Sequence, residues 1–219
     1  ERDQRRGARL QRGFTRKILG TKGGKPVIDP RSFERKRPPE KPQFAWTLII
    51  DNSGSCGGDI IEEEKKLAVA LVEVAKKLDI PLEIVTFGGP QQYTFLKGFE
   101  QDVAGEDLQK MVFLNADQGT PDVVTLDAAC ASMERFTDKF QRSYNFVYFM
   151  TDGQSGSGSI QEVLKRYKRD MVVTGIGLAG AASTIGETWG RNAVPVPDVS
   201  KLSDSFIRKI GDQIDQTFD

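Results

Sequence analysis

The sequence predicts an α/β fold: a doubly wound, six-stranded, mainly parallel sheet in the order 3-2-1-4-5-6, with helices on both faces and one antiparallel edge strand. Two observations predict it. Short apolar runs alternate with longer stretches of helical periodicity, the pattern of parallel strands joined by crossover helices. One run instead follows the turn Gly88-Gly89-Pro90 and so returns antiparallel at an edge.

The elements follow in order. Residues 45–50 (Ala-Trp-Thr-Leu-Ile-Ile) form the first strand, continuously apolar as a strand covered on both faces should be. Asp59–Leu78 is helical, with Leu67, Leu71, Val74 and Leu78 as its expected apolar stripe. Glu62-Glu63-Glu64 reads as negative charge favoured in the first turns of that helix rather than as an acidic site. Residues 81–87 are the second strand and 92–96 the antiparallel third. Residues 105–113 form a short helix or loop, 123–140 a helix, and Tyr144–Thr151 the central fourth strand. Residues 159–168 are helical, 171–176 form the fifth strand and Ala193–Val196 the sixth. Residues 203–218 close the chain as a helix with Phe206, Ile210 and Ile214 toward the core. Right-handed crossovers fix the topology and bring the ends of the first and fourth strands together at the switch point of the sheet.

At 219 residues the chain is long enough for one domain plus an extension. Its 31 basic and 31 acidic residues cancel, but not evenly: residues 1–42 hold 14 Lys/Arg against 5 Asp/Glu, which leaves 17 against 26 for residues 43–219. Residues 1–42 therefore read as a basic extension and 43–219 as an acidic domain. Within the extension, Leu10, Phe14 and Ile18 recur at four-residue steps, so a short amphipathic helix is expected over residues 5–19. The Gly-, Pro- and Lys/Arg-rich remainder reads as a connector that lies across the domain. No aromatic interleaving supports stacking on nucleic acid bases, and no apolar run approaches the ~18 residues of a membrane span. The chain opens on Glu1 rather than Met, so a longer protein is expected. There is no histidine, which excludes Ser-His-Asp and Cys-His catalysis and zinc sites of the His type. Two cysteines are too few for a disulfide framework. Cys130, in an Ala-rich helix, reads as a packed apolar residue.

Three stretches at strand ends carry the chemistry. Asp51-Asn52-Ser53-Gly54-Ser55 follows the first strand, and places one carboxylate and two hydroxyls at i, i+2 and i+4. Gly54 is expected to curl the loop with φ > 0. Three hard oxygen ligands from one loop suit a small divalent cation of the Mg²⁺ type; the same residues also suit a helix cap. Gln118-Gly119-Thr120-Pro121-Asp122 precedes a second helix, and Met150-Thr151-Asp152-Gly153 ends the fourth strand. A Thr and a second Asp thus join the first motif.

Asp-x-Ser-x-Ser, Gly-Thr and a strand-terminal Thr-Asp-Gly together resemble the metal-ion-dependent adhesion site (MIDAS) of von Willebrand factor A domains, with order and spacing matching from Pro42 to Asp219. The resemblance implies a Rossmann-like fold and a cation, Mg²⁺ (or Mn²⁺ or Ca²⁺), held by Asp51, Ser53, Ser55, Thr120 and Asp152. It implies that both serines coordinate directly, that Thr120 does so in the ligand-competent state, and that the aspartates often act through water. The open coordination position is then filled by an Asp or Glu carboxylate from a protein partner, and the domain is not an enzyme. The family often has Met at the position of Cys56, so Cys56 reads as packing rather than nucleophilic.

Competing enzymes fit poorly. Gly153-Gln154-Ser155-Gly156-Ser157-Gly158 has the wrong spacing for a dinucleotide loop, and no P-loop exists. A metal-dependent phosphotransferase of the haloacid-dehalogenase type would need a second Asp where Ser53 stands. Within the A-domain family, Asp-Asn-Ser-Gly-Ser and the basic extension look like the intracellular branch that works beside MoxR-type AAA+ ATPases, as in midasin and the CobT subunit of cobalt chelatase. Asn52, Asn115, Asn145 and Asn192 lack the Asn-x-Ser/Thr glycosylation frame. The expectation is a cytoplasmic partner of such an ATPase or of its client, with an extracellular adhesion-type domain as the alternative.

Overall fold

The computed structural model describes residues 44–87, 93–101, 105–116, 119–140, 144–153, 159–167 and 171–218, together with Arg9–Leu10 and Phe33–Glu34. The chain divides into two units, Glu1–Pro42 and Gln43–Asp219. In the first, Arg9–Leu10 pairs antiparallel with Phe33–Glu34. Those two residues are strand where a helix over residues 5–19 is expected, because the ladder satisfies their backbone groups across the chain. The rest of that stretch and the expected connector lie outside the described residues.

The second unit is the six-stranded sheet. Its strands are β1 (Phe44–Asp51), β2 (Leu82–Phe87), β3 (Tyr93–Lys97), β4 (Tyr144–Thr151), β5 (Val172–Leu178) and β6 (Ala193–Val196). They lie in the order β3-β2-β1-β4-β5-β6, all parallel except β3, which runs antiparallel to β2 at the edge. The longer helices are α1 (Asp59–Leu78), α2 (Gly105–Val112), α3 (Asp122–Phe140), α4 (Ile160–Tyr167) and, closing the chain, Leu202–Phe218. This is the predicted fold, strand for strand.

Strand β1 shows why the run is apolar throughout. Trp46, Leu48 and Ile50 face one core with Leu67, Leu71 and Phe206. Ala45 and Ile49, pointing the other way, face a second core with Leu126, Met133 and Trp189. Alternating side chains are thus buried on both sides of the sheet.

Helix α1 is rotated from its expected stripe. Its buried residues are Ile61, Glu64, Leu67, Ala68, Leu71, Val72 and Ala75, whereas Val74 is 42% and Leu78 58% exposed. The small Ala68 and Ala75 stand at the centre of the buried face, one step around from the expected stripe, and let the helix come close to the sheet. The same rotation carries Glu64 inward. Glu62 and Glu63 do behave as solvated first-turn charges, paired to Lys65 and Lys66.

Residues 179–192, to which the periodicity assigns no element, fold as two 3₁₀ turns around a short helix, α5 (Ile185–Trp189). The final helix, Leu202–Phe218, is α6. Two glycines on β5 make room for the α5 segment: a Cβ at Gly175 would lie 2.2 Å from the Trp189 ring, and one at Gly177 would lie 2.7 Å from Ile185. Backbone of β5 therefore touches these side chains directly.

Candidate metal centre

Neighbouring strands β1 and β4 are parallel, with Ile49 opposite Phe149, so both end on the same edge of the sheet. Asp51 ends β1, and Asp152 directly follows β4. The Asn52 N–H continues the ladder by donating to the Phe87 carbonyl at 3.0 Å. The chain then turns away. Ser53 N–H donates to Asp51 Oδ1 at 3.0 Å, and Gly54–Cys56 make one 3₁₀ turn. The turn keeps Gly54 out of the left-handed region expected for it. The residue with positive φ is Gly58, at 78°, where the chain swings from the turn into α1.

This loop brings its oxygens together. Ser53 Oγ and Ser55 Oγ stand 3.1 Å apart. Ser55 Oγ donates to Asp152 Oδ1 at 2.8 Å, and Asp152 N–H donates to Asp51 Oδ2 at 3.4 Å. Helix capping does not explain the motif. Gly58 is the N-cap of α1, and among the described residues no side chain caps it or the 3₁₀ turn. Thr120 lies half-buried on the loop ahead of α3, and among the described residues its hydroxyl makes no hydrogen bond to the other four. Gln118 lies outside the described residues.

The electrostatics ask for a cation. Asp51 is 1% exposed, and among the described residues no Lys or Arg pairs with it or with Asp152. Burial raises the Asp51 carboxyl above its usual range and the nearby Asp152 charge adds to this, while hydrogen bonds from Ser53 oppose it. Behind the loop stands Glu64, fully buried. Its Oε1 accepts the Asp51 N–H at 3.4 Å and, among the described residues, its Oε2 has no hydrogen-bond partner. Burial above all, and then the Asp51 charge, push its carboxyl well up. Buried carboxylates without counter-charge are costly unless protonated or bound to metal. Two carboxylates, two hydroxyls and an orphaned oxygen close behind them fit a hard divalent cation.

Three residues stand closer to this site than the sequence reading places them. Glu64 is the buried acid just described; its spacing from Ile61, Ala68 and Leu71 on α1 is the signal that could have found it. Cys56 Sγ lies 3.9 Å from Ser53 Oγ, and its sulfur lies within 4.8 Å of ligand oxygens from Asp51 and Asp152. Burial pushes this thiol up, followed by the charges of Glu64 and Asp51. Asn52 donates from Nδ2 to the Asn115 carbonyl at 3.4 Å, tying the loop to the segment after α2. No long-range signal in the sequence marks that contact.

A family model described as the von Willebrand factor type A domain matches residues 47–193, from within β1 to the start of β6. The chain belongs to that family. Solved structures similar to this vWA domain share its fold at low identity. Proximal thread matrix protein 1 from the mussel byssus is 17% identical with a TM-score of 0.59, over 74% of this chain and 46% of that one. Another structure of the same mussel protein, 16% identical with a TM-score of 0.57 and the same coverage, has a zinc-occupied MIDAS motif. The pilus adhesin SpaC from Lactobacillus rhamnosus GG, in an open conformation, is 11% identical with a TM-score of 0.62, over 82% of this chain and 31% of that one. The chain thus spans less than half the length of each. No curated protein sequence matches it.

Proposed function

We propose that this vWA domain is a non-enzymatic, metal-dependent protein-interaction module. Asp51, Ser53, Ser55, Thr120 and Asp152 hold one divalent cation, Mg²⁺ or else Mn²⁺ or Ca²⁺, and a partner's Asp or Glu side chain completes its coordination. The observation that carries this reading is the convergence of Asp51 and Asp152 at the ends of adjacent strands with, among the described residues, no basic side chain to neutralise them. When bound, the cation supplies a Lewis-acidic position for a carboxylate. The residues of the chain do the rest. Asp51 orders the loop through the Ser53 N–H, Ser55 and Asp152 fix each other, and Ser53 and Ser55 present their hydroxyls side by side. The zinc in the mussel protein's MIDAS motif supports a divalent cation here.

The partner we propose is a MoxR-type AAA+ ATPase, or the client of such an assembly, in the cytoplasm. The Asp-Asn-Ser-Gly-Ser loop and the basic extension of residues 1–42 support this branch over an extracellular adhesion module. A non-catalytic role is supported by the lack of histidine and by serine hydroxyls engaged with co-ligands.

The test has two arms. The purified chain is titrated with a glutamate-containing peptide in magnesium and in EDTA, and binding is expected in magnesium alone. Tagged chain recovered from its native host in magnesium should carry an AAA+ ATPase that EDTA releases. Peptide binding that ignores EDTA would remove the metal from the interaction.

A further inference from the structure

A sulfur stands among the oxygens of the centre. Cys56 is fully buried, and its Sγ and one oxygen each of Asp51 and Asp152 all lie within 4.8 Å of one another. Atoms that close can share one metal. Zinc bonds sulfur at about 2.3 Å and carboxylate oxygen at about 2.0–2.2 Å, which in a tetrahedron separates sulfur from oxygen by roughly 3.6 Å. Ser53 Oγ, 3.9 Å from the sulfur, already stands close to that separation. Among the described residues the sulfur faces no competing partner that would hold it away: its hydrogen-bond contact there is that serine hydroxyl. Independently, fully buried Glu64 stands against the same loop: its Oε1 accepts the Asp51 N–H at 3.4 Å, and its Oε2 has no hydrogen-bond partner among the described residues.

We propose that Cys56 is a specificity-determining ligand that opens this centre to softer divalent cations, zinc above all, through its sulfur together with Asp51 and Asp152. The inference rests on the metal-binding reading of the loop. Hard cations such as Mg²⁺ use oxygen ligands and ignore a thiol, whereas zinc and cobalt bond thiolate strongly. On binding, the Sγ–H bond breaks, the proton leaves to solvent and the sulfur's electron pair forms the bond to the metal, with no change of oxidation state. The site then discriminates among metals by one atom: its oxygens serve either class, and only the soft class gains the sulfur.

The experiment uses the whole chain, stripped of metal, with cobalt as a spectroscopic probe and zinc as its competitor. Wild type should bind one cobalt with a sulfur-to-cobalt charge-transfer absorption that zinc abolishes. Cys130→Ser should keep that band, and Cys56→Ser should lose it. In Cys56→Ser zinc affinity should fall about tenfold or more, while the magnesium-induced rise in melting temperature stays as in wild type. Cys56→Ala is the second variant should serine at this buried position disturb folding, and the same losses are expected of it. Cobalt binding to wild type without the band, or unchanged zinc affinity in both Cys56 variants, would overturn the role of the sulfur and leave the metal site standing. If wild type binds none of magnesium, manganese, cobalt or zinc, the metal reading itself fails, and this inference with it.

Discussion

Ser55 Oγ donates a 2.8 Å hydrogen bond to Asp152 Oδ1 across a sequence separation of 97 residues. That one contact joins the loop after the first strand to the end of the fourth, so the site exists only once the sheet has formed. It also means that the serine is oriented by the fold before any metal arrives, which lowers the ordering cost of binding.

Metal stabilisation is the direct consequence. Magnesium or manganese should raise the melting temperature and EDTA should reverse the rise. At ten times its Kd a ligand of the native state adds about 1.4 kcal/mol. Ser53→Ala/Ser55→Ala should fold, because neither hydroxyl caps a helix, yet lose the shift. Differential scanning calorimetry of both proteins with and without magnesium decides it, and an undiminished shift in the double variant would remove the two hydroxyls from the ligand set.

The legible and illegible parts of this site differ for a physical reason. Asp51, Ser53 and Ser55 are readable as candidate ligands because three hard oxygen donors fall within one short loop, and Asp152 because it directly follows an unmistakably apolar strand. Glu64 and Cys56 are not, since both depend on how α1 and the turn before it rotate against the sheet. Leu and Val side chains suggested one face for α1; Ala68 and Ala75, which carry little hydrophobic signal, mark the buried one. Strand order followed from alternation and crossover handedness, but residues 179–192 carry no period. Their conformation is set by contact with Gly175 and Gly177 on a strand several residues earlier, which is tertiary information.

Thr120 separates metal binding from partner capture. Among the described residues its hydroxyl makes no hydrogen bond, so Thr120→Ala removes nothing that the fold relies on. Thr120→Ala should melt like wild type and still respond, more weakly, to magnesium, while partner binding is lost. Breaking one side of a desolvated charge-assisted contact costs about 2–5 kcal/mol, enough to dissolve a micromolar complex. Peptide titration of wild type and variant, each in magnesium and in EDTA, measures this. Full binding by the variant would take Thr120 out of the interaction.

The α5 segment offers a steric test. Gly175→Ala places a methyl 2.2 Å from the Trp189 ring, which itself stacks on Phe149 at 5.5 Å between centroids. Trp189 must move, and overpacking of this sort costs about 1–3 kcal/mol. Gly186→Ala is the control: it sits in α5 with nothing within 4 Å of its Cβ, and restricting the unfolded chain there should stabilise by about 0.4–1 kcal/mol. Urea unfolding of the two variants should move in opposite directions from wild type. Equal stability of Gly175→Ala and wild type would mean that Trp189 does not pack on β5 as described.

A last prediction concerns pH and lies away from the metal. Glu83 on β2 is 2% exposed; its Oε1 accepts from Thr47 Oγ1 at 3.3 Å and its Oε2 from Ser132 Oγ at 2.6 Å. Burial raises its carboxyl from 4.5 to about 7, although the two hydroxyls and the charges of Arg135 and Lys97 pull the other way. The unfolded chain returns it to 4.5, so between those values the native state binds the extra proton. Its contribution to stability is therefore fully present below 4.5 and is lost as pH rises through about 7. A shift of that size is worth about 3 kcal/mol between the two ends of the window. Glu83→Gln has nothing to titrate and keeps a neutral side chain of the same volume. Urea unfolding free energies of wild type and Glu83→Gln, compared from below pH 4.5 to above pH 7, should diverge steadily, with wild type losing ground as pH rises. Differencing the two proteins cancels every other titrating group. Parallel curves across the window would mean that Glu83 is ionised in the native state throughout, held by Arg135 and Lys97 more strongly than burial opposes it.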